Sequence, residues 1–440
     1  IPTVVTSFSD FQAKFGDVFK SGSDSYQFLT SHAAEEYLKH SDTLTVVRIM
    51  AKGTQGVSPA TATIATSSAT VGTSGTTTSF VLETLADGEI MNNSGSSDAG
   101  GVNNVLVSGS KHNIRFEITS RNVSKGTFNL AIRAGNDTSK RKQTLETFNN
   151  LSLDPGTPNF ISKVIGDQKQ SVQVDNGVNY LALTGSYANK SRFVRVSSVG
   201  SPTANYLDEN GNISNNELTA SLPDVGSGSG HNADGPIGHG GFGGATGGHS
   251  DFDALGNFVG DSAANPQAAF YDQIAGSNSQ GLDPTTAADG LDAYTEALNL
   301  LANQDEFDVN LILLPGIIDS VHTAVSAKAI DVCESRGDCF TILDPVPYNS
   351  TLAQATARGE ARDSNFAAMY WPWVKVPDSQ IAGTQRWMPP SVVMGGIYAF
   401  NDKVAHPWFA PAGLNRGGIT TAIQAERKLT QGNRDDLYDS

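Results

Sequence analysis

The densest group of side chains able to hold a metal or move a proton is His231, His239 and His249 with Asp234, Asp251 and Asp253. Imidazole nitrogens and carboxylate oxygens are donors that zinc and calcium accept. Here the histidines are eight and ten residues apart on glycine-rich backbone, which costs entropy to immobilise, so a solvated loop is the plainer reading. Gly248-His-Ser-Asp-Phe252 is one residue short of a nucleophile elbow: Phe stands where the closing glycine belongs, and no strand signal precedes it. Ser250 therefore lacks the turn that would present a nucleophile. GHGGFGG at 238–244 has no Lys-Ser/Thr to complete a phosphate loop.

Arg336-Gly-Asp338 has the form of an adhesion tripeptide, but Gly337 is already explained as the residue that closes a helix. Tyr370, Trp371, Trp373, Trp387 and Trp408 could make a carbohydrate platform; set among prolines beside strand signals, they fit a core edge or subunit interface instead. Carboxylates are too plentiful for any pair to stand out as acid and base. The sequence thus assigns no catalytic, cofactor-binding or metal-binding residue.

The elements that carry these residues fall into roughly two or three domains, as expected for 440 residues. With 29 Lys and Arg against 45 Asp and Glu the net charge is −16, which repels a polyphosphate and argues against direct nucleic-acid binding. No run approaches the ~20 apolar residues of a spanning helix, so membrane insertion is not expected. Cys333 and Cys339, in a helix-to-strand connection, read as buried free thiols rather than a disulfide framework.

Residues 1–53 mix helix and strand signals. Ser9 and Gln12 have capping-box spacing, and Tyr26, Leu29, Ala33 and Tyr37 share one helical face. The apolar run from Leu44 to Met50 predicts a buried strand. From Thr54 to about Ser221, short runs punctuated by Ser, Thr, Gly and Asn predict antiparallel sheets, with strands at Ser79–Leu85, Asn104–Val107, Asn113–Ile118, Thr127–Arg133, Tyr180–Leu183 and Phe193–Val196. The Gly-rich stretch 226–260 has so few apolar anchors that a long mobile loop or connector is expected.

Beyond about Asn265 a βα rhythm returns. Leu291, Tyr294, Leu298 and Leu301 mark a core-facing helical stripe. A strand at Val309–Leu314 before Pro315 follows, then a helix opened by Asp319 and ended near Gly337, then a strand at Phe340–Leu343. Strand, helix and strand imply parallel neighbours with a right-handed crossover. Thr351–Asp363 reads as another helix, and Phe366–Val376 returns to the sheet. The shared texture predicts an α/β plus all-β chain: a discontinuous α/β domain (1–53 and 265–440) interrupted by a β-rich insert (54–264).

FDVNLILLPGI at 307–317, YWPWVKV at 370–376, RWMPPSVVMGGIYAFND at 386–402 and HPWFAPAGLNRG at 406–417 resemble, in order and spacing together, contractile phage tail sheath proteins. KGTFNLAIRAGND at 125–137, LETFNNLSLDPG at 145–156 and NKSRFVRV at 189–196 resemble the long myophage type, and the opening through VVRIM at 46–50 agrees. The likeness spans most of the chain apart from about 54–78 and 200–285.

The resemblance implies a structural virion protein without catalysis, cofactor or metal. Its copies would stack as six-fold rings in a helical sheath around the tail tube and contract to drive that tube through the host envelope during genome delivery. Implied partners are further copies, the tail tube protein, and baseplate and tail terminator proteins; implied locations are the virion tail and, during assembly, the host cytoplasm. The α/β domain would have three layers in a subtilisin-like layout, with the insert a sandwich-like outer domain. That layout carries no activity by itself, and no Asp, His and Ser are placed to meet as a triad. The family also has an N-terminal arm and a C-terminal region beyond a core of this kind. The competing readings are a virion or cell-surface adhesin or glycan-binding protein, motivated by the tryptophans and the Ser/Thr/Gly-rich insert, and an α/β hydrolase using Ser250 or a nearby residue.

Overall fold

The computed structural model describes residues 2–15, 19–21, 24–49, 59–67, 78–87, 114–134, 142–225, 239–242, 283–286, 290–379 and 381–440. The chain opens with β1 (Pro2–Val5), α1 (Phe8–Phe15), a small hairpin of β2 (Phe19–Ser21) and β3 (Asp24–Tyr26), α2 (Leu29–Leu38) and β4 (Leu44–Val47). β1 pairs antiparallel with β4, and Val5, Phe11, Ala34 and Val46 form the core beneath them. The cap of α1 is Ser7, whose Oγ accepts from the Asp10 amide at 3.0 Å. The cap thus lies two residues before the Ser9–Gln12 spacing, because Phe8 must already be helical to stack on Phe11. Tyr26 lies on β3 and not on the face of α2, which starts only after extended Phe28. β4 is shorter than the sequence predicts and only Val46 is buried, since a two-stranded ladder leaves an edge uncovered.

The β-rich part contains β5 (Pro59–Ala65), β6 (Thr78–Asp87), β7 (Ile114–Asn122), β8 (Thr127–Ala134), β9 (Thr144–Ser152), the short α3 (Ile161–Ile165), β10 (Lys169–Asp175), β11 (Val178–Thr184), β12 (Val194–Val199) and β13 (His239–Gly241). Every ladder is antiparallel: β12-β6-β5 is one sheet, β13-β7-β8-β9 a second, and β10–β11 a separate hairpin. Period-two alternation puts Phe80 and Leu82, Ile114, Phe116 and Ile118, and Phe128, Leu130 and Ile132 into one core shared by the two sheets. Phe80 stacks on Phe128 with ring centroids 5.5 Å apart. Intervening positions of β7 and β8 bury charge instead, with Arg133 on Glu117 at 2.7 Å. The β10–β11 turn needs positive φ at both central residues and has Asn176 and Gly177 there.

The Gly-rich stretch differs from expectation at one place: β13 adds to the edge of β7, and Phe242 is fully buried with its ring edge-on to Phe116 at 6.2 Å. One aromatic anchor beside an open strand edge suffices to order these residues. The rest of 226–260, like Asn104–Val107, lies outside the described residues.

The α/β part is built from α4 (Asp292–Leu301), β14 (Leu311–Ile318), α5 (Thr323–Arg336), β15 (Phe340–Asp344), α6 (Leu352–Glu360) and β16 (Ala367–Met369). It continues with β17 (Val374–Pro377), β18 (Gln385–Met388), α7 (Ser391–Val404), β19 (Gln424–Ala425) and α8 (Gln431–Asp439). β14, β15 and β16 are parallel, whereas β18, β17 and β19 form an antiparallel sheet of their own. The Phe366–Val376 run therefore divides between two sheets, with a cis bond at Trp371-Pro372 between them. β14 runs past Pro315, which cannot donate, through a register shift with Gly316 at φ 92°.

Alternation along β14 defines two faces. Ile312 and Leu314 meet Leu298 of α4 and Val325, Ala329 and Val332 of α5. Leu311 and Leu313 meet Met394 and Ile397 of α7. On α4, Leu300 is buried to 2% exposure while Leu301 is only partly covered. α2 packs on α7 and β14, joining the first 40 residues to the last 150. Contact between those helices is close at Gly396, where a Cβ would lie 2.8 Å from the Glu36 carbonyl oxygen; at Gly395 it would meet the end of the Leu313 side chain.

Alanine at either glycine gains about 1 kcal/mol of helix propensity, so the two positions separate local from packing effects. Gly396→Ala is expected to lose about 1–3 kcal/mol net, because backbone cannot step aside. Gly395→Ala stays within about 1 kcal/mol of the parent, since a Leu methyl can rotate away. Urea denaturation of both variants checks this; equal losses would contradict the helix-contact account.

Candidate functional site

Of the histidine–aspartate group, only His239 lies among the described residues, on β13 in register with Glu117; His231, His249, Asp234, Asp251, Asp253 and Ser250 lie outside them. Among the described residues no cluster of three or more His, Cys, Asp or Glu could hold a metal. The Arg336-Gly-Asp338 tripeptide is a helix closure. Gly337 is left-handed, and the buried Arg336 guanidinium donates to the carbonyls of Leu301 at 2.6 Å, Phe307 at 3.1 Å and Val309 at 3.3 Å and to Asp338 at 2.8 Å. Cys333 and Cys339 are buried free thiols, and burial pushes the Cys333 thiol up.

The aromatic group divides. Tyr370 bonds hydroxyl to hydroxyl with Tyr398 at 2.8 Å, Trp373 Nε1 donates to the Val346 carbonyl at 3.0 Å, and Trp387 lies against Tyr348. Arg427 stands over Trp371. Only Trp408 is largely open, at 77% exposure, with His406 stacked on it at 4.4 Å.

The most concentrated polar geometry is at the C-terminal ends of the parallel strands. Asp319, which the sequence reading took as the opener of α5, is instead a buried acceptor just after β14. It receives Arg358 Nε at 2.7 Å and Arg362 Nε at 3.0 Å and Nη2 at 2.6 Å, as well as Arg358 Nη2. α5 begins four residues later, and His322 Nδ1 accepts from the Ile318 amide at 2.9 Å. Asp344, at the end of β15, accepts from the Ser391 amide at 2.9 Å and hydroxyl at 2.5 Å, holding the first turn of α7. Burial pushes the Asp344 carboxyl up to about 7, against the pull of both Ser391 bonds.

A third brace joins the start and end of the chain. Asp378 after β17 accepts from Arg386 Nε at 2.9 Å and the Ile381 amide at 3.0 Å, with His32 Nε2 of α2 3.8 Å away. Burial draws the His32 imidazole down to about 4, although Asp378 works in the opposite direction.

These carboxylates and Ser391 are inside, each held by its own partners. The Ser391 hydroxyl donates to a carboxylate and is 1% exposed, so this geometry fastens strand ends to the start of α7, the end of α6 and β18. The outward-facing feature is a strap following α7. There Val404, Trp408, Phe409, Leu414 and Ile423 are exposed, Leu414 completely. The strap is nonetheless fixed in place: Asn401 Nδ2 donates to the Phe409 carbonyl at 2.8 Å, Arg416 covers the Phe409 ring at 4.9 Å, and the Ile423 amide donates to Lys375 at 2.8 Å. A preorganised surface exposing this much apolar side chain has the character of a contact surface.

Sequence reasoning missed the Asp319 brace. Its signal was there: Arg358 and Arg362 lie four apart at the end of one helix and just beyond it, and a carboxylate directly follows an apolar strand.

Residues 290–440 match the phage tail sheath protein central domain. Tail sheath protein of Enterobacteria phage T4 is 27% identical over 167 residues, 32% of this chain and 25% of that protein. Tail sheath protein of Vibrio phage KVP40 is 24% identical over 174 residues, 34% of this chain and 26% of that protein. The match thus spans about a quarter of the length of these curated relatives. Among solved structures, the sheath tail protein from Desulfitobacterium hafniense aligns at 11% identity and TM-score 0.36, covering 100% of this chain and 62% of that one. A chain of the anti-feeding prophage baseplate aligns at 20% identity and TM-score 0.26, covering 33% and 35%. The residues that match this central domain, 290–440, are those that contain the braces and the strap.

Two outcomes follow from the braces. Asp319→Ala would leave two guanidinium groups without their carboxylate, each keeping one backbone carbonyl, and is expected to cost about 3 kcal/mol, discounted within the range for broken buried pairs because both arginines reach solvent. Chemical denaturation measures it; a loss below ~1 kcal/mol would remove the brace from the account. Asp344→Asn tests the second. A carboxyl whose folded value is raised contributes stability that is complete near pH 4 and lost as pH rises to about 7. The variant's advantage over the parent should therefore grow by up to about 4 kcal/mol across that window and level off above it. In the variant, the lowered His32 remains and makes stability climb from about pH 4 to 6.5. Parallel pH profiles for parent and variant would contradict this.

Proposed function

We propose that this chain is a structural subunit of a contractile phage tail sheath, polymerising around a tail tube and shortening to drive it through a host envelope. The observation that carries this reading is the match of residues 290–440 to the sheath central domain; the relatives named tail sheath protein support it. The exposed strap within the same residues is what a subunit that works by contact with its neighbours requires. Contraction needs two packings of the same subunits that differ in free energy, and no reaction turned over within each.

In this reading residues 1–53 and 265–440 form one α/β unit, and 54–264 a β-rich insert carried to the outside. Support comes from α2 packing on β14 and α7, from helices on both faces of the parallel sheet, and from the self-contained core of the two antiparallel sheets. The three-layer, subtilisin-like layout and the partners beyond further copies, namely tube, baseplate and terminator proteins, belong to the same proposal, as do the virion tail and the host cytoplasm as its locations. A carbohydrate platform is disfavoured by Tyr370, Trp373 and Trp387, whose polar groups or faces are already occupied.

Electron microscopy of the full-length polypeptide, with its flanking segments, tests the reading. Hollow, cross-striated tubes of uniform width are expected. A preparation that remains as dispersed single molecules under all assembly conditions, with the tail tube protein present, would overturn it.

A further inference from the structure

The strap from Lys403 to Lys428 is unlike the rest of this acidic chain. It contains Lys403, Arg416, Arg427 and Lys428 and a single carboxylate, Glu426, in a chain of net charge −16. Glu426 is turned inward onto the amides of Asn349 at 2.6 Å and Trp373 at 3.4 Å. None of the four cations forms an ion pair among the described residues, while Arg416 and Arg427 lie over the Phe409 and Trp371 rings. Trp408, Leu414 and Ile423 stand exposed among them. This surface is cationic and apolar together, and its backbone is already ordered.

A complementary surface exists on the other side of the same sheet. The connection between α4 and β14 exposes Asp305, Glu306 and Asp308, and the outer face of α5 exposes Asp331 and Glu334. Arg336 ties these two elements together through the Leu301, Phe307 and Val309 carbonyls, so the five carboxylates sit on one rigid end. No cation pairs with any of the five among the described residues. α4 and α5 cover the Ile312 and Leu314 face of β14, and α7, from which the strap issues, covers the Leu311 and Leu313 face. A strap and an acidic end on opposite sides of one sheet are poorly placed to meet within a molecule.

We propose that the strap docks on the acidic α4–β14/α5 end of a second copy of this chain, a head-to-tail contact in which charge sets register and Trp408, Leu414 and Ile423 supply apolar burial. The occupant is a second copy because both halves of the charge complement are on this chain. A contact between two different patches does not close on itself and propagates as an open array. The inference rests on the sheath reading and deepens it by naming the surfaces.

Two charge-reversed variants test it. One has Lys403→Glu, Arg427→Glu and Lys428→Glu on the strap; the other has Glu306→Lys, Asp308→Lys and Glu334→Lys on the acidic end. All six side chains are exposed, and circular dichroism with thermal melting verifies folding. In sedimentation velocity the parent is expected to self-associate in a salt-sensitive manner, weakening about tenfold between 50 and 500 mM salt. Each variant alone falls to monomer, since its reversed patch meets a like-charged one. An equimolar mixture recovers association, because each reversed patch finds the other and the unaltered patches still match.

A parent without salt-sensitive association, a variant that associates like the parent, or a mixture that stays monomeric would each overturn the docking pair. If the full-length protein still formed tubes in that event, the sheath reading would stand with other surfaces holding it together.

Discussion

A carboxylate taken out of water must be met by donors, and the α/β layers of this protein are arranged around that requirement. Asp319 is fully buried between two guanidinium groups from α6 and the residues just after it. Asp344 is met by the first residue of α7, and Asp378 by Arg386 with His32 at its side. Each carboxylate sits where a strand ends, so each fixes the direction in which the chain leaves the sheet. At Asp319 and Asp378 removing one partner leaves an uncompensated buried charge, so pulling those strand ends away from their partners is costly. Hydrophobic burial on either face of β14 can then be satisfied in one arrangement.

This division of labour explains what could be read in advance. β7 and β8 were visible because Ile114, Phe116 and Ile118, and Phe128, Leu130 and Ile132, repeat at the pleat period. The α5 and α6 helices were visible by their ends: Gly337 adopts the left-handed conformation that closes one, and Thr351 with Gln354 forms the capping box that opens the other. β9 was not visible, since TLETFNNLS alternates polar residues of both kinds and is held mainly by its ladder to β8. β13 was hidden in glycine, where one buried phenylalanine decides the outcome.

The Asp319 and Asp344 braces escaped because their partners are 39 to 47 residues away, and charge carries no periodicity that points across such a gap. Asp319 looks like a helix opener to any local rule; only the fold reveals that it faces Arg358 and Arg362. Likewise the exposure of Trp408 and Leu414 cannot be read from their identity, which on average favours burial. The motif around them was recognisable as a resemblance, but its exposure is set by which of the described residues pack beside it.

The last helix, α8, has no buried residue and keeps its shape through the Thr430–Asn433 box at its first turn. It rests on α6, where a Cβ at Gly359 would lie 3.0 Å from the Ser440 carbonyl oxygen, but with no side chain buried its opening free energy lies toward the low end for this chain. It can act as a latch whose position is decided from outside: any surface that covers Tyr438 would hold it down, and withdrawal of that surface would free it without disturbing the layers beneath.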